Sequence, residues 1–274
     1  MGRSARNVAL FVGATACVVV ACQKVPVTGR RQLNLAPDSM MQDLGRSTFQ
    51  EMVQQQPVER GTQDAQLLRQ VGARISSKAH NDSGFAWEFA LLDDDAINAW
   101  CLPGGFVGFY SGILPVLENE AGLAFVMGHE VAHATARHSA ERMSQQLALV
   151  GGLAGLDLYL SGREGVSNQQ RQLIMGALGH GAQVGVQLPF SRTHESEADT
   201  IGLMYMARAG YPPEESVEVW NRMEAQGGAR PPTFLSTHPS PAQRRENLQE
   251  WMPTARKKYA RNRRTGEQPL ANRW

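Results

Sequence analysis

Polar residues dominate positions 23–37, and a regular hydrophobic period begins only after them. From Ser39 the apolar positions fall at helical spacing. Leu67, Leu68, Val71 and Ile75, three and four apart, mark a further helix. Phe85, Trp87, Phe89 and Leu91 alternate with smaller or polar residues, which is the period of a half-buried strand. Asp93-Asp94-Asp95 reads as a turn, and 98–102 and 106–110 read as extended segments separated by the turn signal Pro103-Gly104-Gly105. The pattern is helical again from 117 to about 150, where the glycines of 151–155 are expected to break it. The Gly-rich stretch 156–188 reads as short helices packing together and carries no assigned role. A helix over 193–209 is stopped by Gly210 and Pro212-Pro213, and the next, over 214–226, ends at Gly227-Gly228. Ser240 and Pro241 supply an N-cap and a first-turn proline for a last helix through Trp251. No repeat of 20–50 residues is present. The expected fold is α+β, mainly helical with a small β-sheet.

The ends change the picture of where the chain lives. Arg3 and Arg6 precede an apolar stretch over 8–21, and Val19-Val20-Ala21 leads directly into Cys22. That is the layout of an export signal, and the terminal cysteine resembles a bacterial lipobox, with cleavage before Cys22 and lipid on its sulfur. The run is short for a membrane-spanning helix, which needs about 20 apolar residues. Gln23 rather than Asp after the cysteine favours the outer membrane facing the periplasm. Residues 1–21 are therefore expected to be a signal peptide, 22–37 a lipidated cysteine and tether, 38–260 one domain and 261–274 a basic tail. Of the three cysteines, Cys17 leaves with the signal and Cys22 carries lipid, so Cys101 has no partner and reads as a small core residue. The net charge of +1 gives no electrostatic case for nucleic acid. The cluster from Arg256 to Arg264 reads as a solvated, frayed terminus.

The chemistry is concentrated in His129-Glu130-Val131-Ala132-His133. Positions i and i+4 of a helix share a face about 6 Å apart, so both imidazoles can meet one tetrahedral zinc. Glu130 can reach a water whose pKa zinc lowers to about 7, and take its proton. Among 7 histidines, chance gives about 0.01 such patterns, and the apolar run 123–128 before it argues against an ordinary solvated polar face. A catalytic zinc needs a third protein ligand and one open position. Position 139 is Ser and 136 is Ala, which excludes the three-histidine metzincin pattern. Glu195 and Asp199, again i and i+4, offer a carboxylate for the metal and one to accept a ring N–H from a liganding histidine.

These residues resemble a known family: the zinc metallopeptidases that include HtpX and the CAAX prenyl protease, and most closely the periplasmic lipoproteins of the BepA and LoiP type. The resemblance rests on 26–33 (Pro-Val-Thr-Gly-Arg-Arg-Gln-Leu), 98–105 (Asn-Ala-Trp-Cys-Leu-Pro-Gly-Gly), Gly128-His129-Glu130, Arg137-His138, the block from Glu195 to Asp199, and Thr237-His238-Pro239. It implies a gluzincin-type domain with one zinc ion on His129, His133 and Glu195, with Glu130 as base and Asp199 behind the ligands. By the same resemblance, Glu197 is expected to be a solvated helix residue. His238 is expected beside the metal, as an oxyanion stabiliser or a reversible plug, and 98–109 is expected to bind substrate as an added strand. The family usually has Phe-Ala where this chain has Trp100-Cys101, which would reshape a specificity pocket. BepA-type relatives carry a helical-repeat domain that is not expected here, so a stand-alone LoiP-like protease fits better. His138 lies off the ligand face and is expected to be structural, while His80, His180 and His194 have no motif support.

The expected function is zinc-dependent endopeptidase activity on unfolded or misassembled envelope proteins, with the membrane contacted through the N-terminal lipid. The alternative is a chaperone-like zinc lipoprotein with weak or latent proteolysis.

Overall fold

Thr62 accepts the Ala65 amide at 3.2 Å, a side-chain cap that starts one of the two helices expected before the first long strand. The structure, a computed structural model, describes residues 22–161, 192–226, 232–238 and 241–263, with the single positions 169 and 172. The signal peptide, most of 156–188, Ser240 and the tail beyond Arg263 lie outside the described residues, as do Pro239 and His180. Two compact units are present, a smaller one containing 22–25, 29–37 and 140–161, and a larger one with 26–28, 38–139 and the described residues after 189.

In the smaller unit β1 (Cys22–Lys24) and β2 (Arg31–Leu33) pair antiparallel, an element not foreseen from composition. Arg30 forks onto Glu141 at 2.8 and 2.6 Å, and the Leu35 amide donates to the Ser144 hydroxyl at 2.7 Å.

The larger unit begins with α1 (Asp38–Gln55), which buries Met41, Gly45 and Phe49 at four-residue spacing. After β3 (Val58–Glu59), α2 (Gln63–Ser83) buries Leu67, Leu68, Val71 and Ile75. β3, β4 (Glu88–Leu92), β5 (Ala99–Leu102) and β6 (Phe106–Tyr110) form a four-stranded sheet in the order β3-β4-β6-β5, with β4 parallel to β6 and the other pairs antiparallel. The aromatic alternation from Phe85 is present, but the ladder starts at Glu88. Its partner is Phe106, the first residue after the turn, so residues 85–87 face no strand. That turn needs glycine: Gly104 and Gly105 have φ of +94° and +95°.

The single helix expected over 117–150 is two, preceded by a short third. A 3-10 turn (Ser111–Ile113) leads into α3 (Leu114–Leu117), and Asn119 then caps α4 (Glu120–Thr135) by accepting the Ala121 and Gly122 amides at 3.0 and 2.9 Å. Chain direction changes at Arg137, whose φ is +55° and whose guanidinium pairs with Asp38 at 3.0 and 2.9 Å. α5 (His138–Ser161) follows and runs through Gly151, Gly152 and Gly155. The expected break there does not occur, because a glycine costs a helix only about 1 kcal/mol and these positions keep normal helical φ.

α6 (Arg192–Arg208) and α7 (Glu215–Ala225) match expectation; the short α8 (Thr233–Thr237) was not foreseen. α9 (Pro241–Asn262) continues eleven residues past Trp251, through Pro253, because Leu248, Met252 and Ala255 extend its buried face. The basic cluster through Arg261 is thus helical rather than frayed, and Arg256 donates to Glu214 at 2.6 Å. No helix among the described residues is long and apolar enough to cross a membrane.

The packing of α4 on α6 positions everything that follows. Their backbones meet at Gly128 and Gly202: a Cβ on Gly202 would lie 2.7 Å from Gly128 C and His129 N, and one on Gly128 would lie 2.8 Å from Gly202 O. Both obstacles are main chain and cannot rotate away. Gly202→Ala is therefore expected to push α6 off α4 beside His129 and to weaken metal binding, by about 10-fold if the shift approaches that of a lost supporting contact. Competition against a chelator of known affinity measures it, and wild-type affinity would show the crossing to be compliant.

Candidate metal centre

α4 is apolar nearly all round and its residues from Ala121 to Thr135 are buried. His129, Glu130 and His133 are therefore polar side chains in a dry interior, and each must find compensation there. It comes from α6, where Glu195, Glu197 and Asp199 are all buried.

The ligand atoms of His129, His133, Glu195 and His238 all lie within 4.8 Å of one another. His129 Nε2 and His133 Nε2 are 3.0 Å apart, and Glu195 reaches them with Oε2 at 3.5 Å and Oε1 at 3.4 Å. His238 brings Nδ1 to 3.2 Å from His129 Nε2 and 3.0 Å from Glu195 Oε2. His129 Nδ1 is 2.9 Å from Asp199 Oδ1, so its proton belongs on that side and Nε2 carries a lone pair. His133 Nδ1 likewise has a partner, His138 Nδ1 at 3.0 Å. Two imidazole lone pairs and a carboxylate then face one point, an arrangement that repels itself unless a cation sits there. The donor set, two nitrogens and an oxygen in a buried pocket, suits zinc.

The electrostatics agree. Burial and the nearby Arg244 oppose a charge on His129, yet hydrogen bonds to Asp199 and Glu195 outweigh them and raise its pKa to about 9; a bound cation takes that proton's place. Burial drives His133 well below the usual histidine range, with Glu195 only partly offsetting it. Burial would raise both carboxylates, but Arg244 overrides it and holds Glu195 well below, and Asp199 below, their ordinary values.

Arg244 is the residue that sequence reasoning missed. It is 1% exposed and donates to Asp199 through Nε at 2.6 Å and Nη2 at 2.7 Å. Nη1 meets Glu195 at 2.8 Å and the His238 carbonyl at 3.1 Å. Its guanidinium lies over the Trp220 ring, 4.0 Å from the centroid. The signal was present: Arg244 lies four residues before Leu248 and eight before Met252, on the buried face of α9.

Four further residues find their places, two of them against expectation. Glu197 is not solvated: it is 6% exposed, accepts from His138 Nε2 at 3.1 Å and hydrogen-bonds the Thr28 hydroxyl. His138 lies off the metal-facing side as expected, but directly behind His133. His194 is buried and stacks on His138, with ring centroids 4.5 Å apart. Cys101 is half-buried on β5 rather than in the core, and its thiol is pushed up by burial and then by the charge of Glu130. Trp100, its neighbour, packs edge-on against Phe49 of α1. Glu130 itself is buried with Oε1 3.6 Å from His238 Nε2 and without a hydrogen-bond partner among the described residues.

Comparison with known proteins covers these same elements. Residues 62–252 match the model of peptidase family M48. The mitochondrial metalloendopeptidase OMA1 of Saccharomyces cerevisiae is 34% identical over 270 residues, covering 91% of this chain and 74% of that protein. OMA1 of Schizosaccharomyces pombe is 33% identical, over 91% of this chain and 72% of the relative. The beta-barrel assembly-enhancing protease of Escherichia coli K12 is 32% identical, over 65% of this chain and 37% of that protein. With the matched span running from α2 through the histidine and glutamate helices into α9, the chain belongs to peptidase family M48 and is a zinc metalloendopeptidase.

Proposed function

We propose that this peptidase is lipid-anchored at Cys22 to a bacterial outer membrane, faces the periplasm, and cleaves unfolded or misassembled envelope proteins with one zinc held by His129, His133 and Glu195. The catalytic part rests on one observation, the convergence of those ligand atoms beside the buried, unpaired Oε1 of Glu130. The signal-like N-terminus ending in Cys22 supports the anchoring. The name of the Escherichia coli relative supports the substrate class, while the two yeast relatives bear a mitochondrial name.

Bound zinc would supply Lewis acidity, polarising the scissile carbonyl and acidifying a water. Beside such a water, Glu130 would be the residue to hold the proton it gives up and return it to the departing amide nitrogen. Asp199 orients His129, with Arg244 balancing its charge. β5 is the outer strand of its sheet, and its backbone offers hydrogen bonds to an extended substrate of any sequence. His238 either shares the metal or stabilises the oxyanion.

A chaperone-like role with latent proteolysis has one observation in its favour: His238 Nδ1 already stands among the ligand atoms, where a catalytic zinc needs an open position. Metal analysis, followed by digestion of an unfolded outer-membrane protein with and without chelator, separates the readings. We expect bound zinc and cleavage that chelation stops and zinc restores. Bound zinc without cleavage favours the latent role, and no bound metal removes both. In the same assay, faster cleavage by His238→Ala marks a plug, slower cleavage an oxyanion role, and unchanged activity with unchanged affinity neither.

A further inference from the structure

His129 and His133 bind alike in the sequence motif but are supported differently. Behind His129 stands a carboxylate, Asp199, in direct contact at 2.9 Å. Behind His133 stands another imidazole, His138, with the two Nδ1 atoms 3.0 Å apart. Two ring nitrogens can form a hydrogen bond only if one carries the proton and the other a lone pair. His138 Nε2 lies 3.1 Å from Glu197 Oε2, a carboxylate that can only accept when ionised, so the His138 proton sits on Nε2 and its Nδ1 is the acceptor. His133 must then donate from Nδ1, which leaves its Nε2 lone pair directed at the point it shares with His129 and Glu195. The other Glu197 oxygen, Oε1, accepts from the Thr28 hydroxyl. With His138 neutral, this assignment gives each donor named here an acceptor.

The end of the series is unusual in its backbone. Val27 has a φ of +67°, and the Thr28 amide donates to the Pro26 carbonyl at 2.7 Å. That is a three-residue turn of the rare, strained hand, carried by a β-branched residue for which positive φ is an outlier. Such a conformation persists where its surroundings over-determine it, and the contact that the turn delivers is Thr28 to Glu197. Residues 26–28 belong to the same compact unit as α4 and α6.

We propose that Thr28, Glu197 and His138 form a positioning relay that locks the ring orientation and tautomer of His133, so that the turn over residues 26–28 sets the metal affinity of the site. The inference rests on His133 being a zinc ligand. None of the three relay residues touches substrate or metal; each acts through the next, and Glu197 gains from the relay a reason to be buried that Asp199 has in Arg244.

The test uses the full-length purified protein and its zinc affinity, measured by chelator competition. Glu197→Gln, which removes the charge but keeps the shape, should weaken zinc binding about 10-fold. Thr28→Val, an exposed near-isosteric change, should weaken it measurably in the same direction, and Thr28→Ser should restore it. The double variant Thr28→Val/Glu197→Gln should lose little more than Glu197→Gln alone, because the threonine acts only through the glutamate. Imidazole nitrogen NMR of the zinc-loaded protein supplies a readout that general destabilisation does not move: the His133 signal stays in the Nδ1–H form in wild type and loses that hydrogen bond in Glu197→Gln. Wild-type zinc affinity in both Glu197→Gln and Thr28→Val overturns the relay. A His133→Ala control that binds zinc as tightly as wild type would instead overturn the ligand assignment on which it depends.

Discussion

Glu130→Gln is expected to retain zinc and to lower kcat by about 10³-fold, within the range of about 10²–10⁴ for loss of a positioned general base. Glu130 follows His129 by one residue, so its side chain leaves α4 about 100° round from the first imidazole. It reaches the neighbourhood of His238 Nε2, at 3.6 Å, rather than the shared ligand point. Burial raises its pKa above the ordinary glutamate value, with the charges of His238 and His129 partly opposing, and a base of raised pKa takes a proton more readily. The same shift has a stability consequence whose sign is opposite to that of the activity. A carboxyl whose folded pKa exceeds its unfolded value favours folding at pH below the unfolded value. That contribution is lost as pH rises through the folded pKa. At neutral pH the burial of Glu130 therefore costs the metal-free protein stability, and the neutral glutamine should melt higher after chelation. Turnover on an unfolded protein, zinc content and melting temperature are the three measurements. Retention of more than a tenth of wild-type turnover would remove Glu130 from the chemistry.

What the sequence made legible follows from which constraints are local. Two histidines one turn apart, and two acids one turn apart, are written in consecutive residues because a helix imposes that spacing on any pair that must share a face. The motif and the Glu195–Asp199 pair could thus be read without coordinates. The same holds for the sheet, whose alternating segments and Gly-Gly turn obey local rules. The places where reading failed are those where the deciding partner is distant. The division of α4 from α5 depends on a positive φ at Arg137, which is not glycine and gives no local sign; Asp38, 99 residues away, holds it. Glu197 was expected to be solvated from the family resemblance, which carries no tertiary partner for it, and the placement of Thr28 and His138 buries it. The glycines of α5 looked like a break because propensity was allowed to decide, although a glycine costs little where nothing else opposes the helix.

Arg244→Met is expected to cost the metal-free protein about 3–5 kcal/mol at neutral pH, the range for breaking a buried ion pair by removing one partner. Arg244 is buried and forks onto Asp199 while reaching Glu195. Methionine fills much of its volume but leaves both carboxylates without their main compensating charge. Arg244→Lys should rescue little, since one ammonium cannot reproduce a planar fork across two acids. Because Arg244 depresses both carboxylate pKa values, its contribution is present above their unfolded values and lost as pH falls through the folded ones. The gap between wild type and variant should therefore be widest near neutrality and close on acidification. Zinc compensates Glu195 but does not touch Asp199, so loading the metal should recover only part of the loss, and Asp199→Asn in the Arg244→Met background should recover a further part. Denaturant unfolding of chelated protein at several pH values reads this directly. A variant within 1 kcal/mol of wild type at neutral pH would mean that Asp199 and Glu195 find their compensation in His129 and His133, leaving the arginine only a packing role against Trp220.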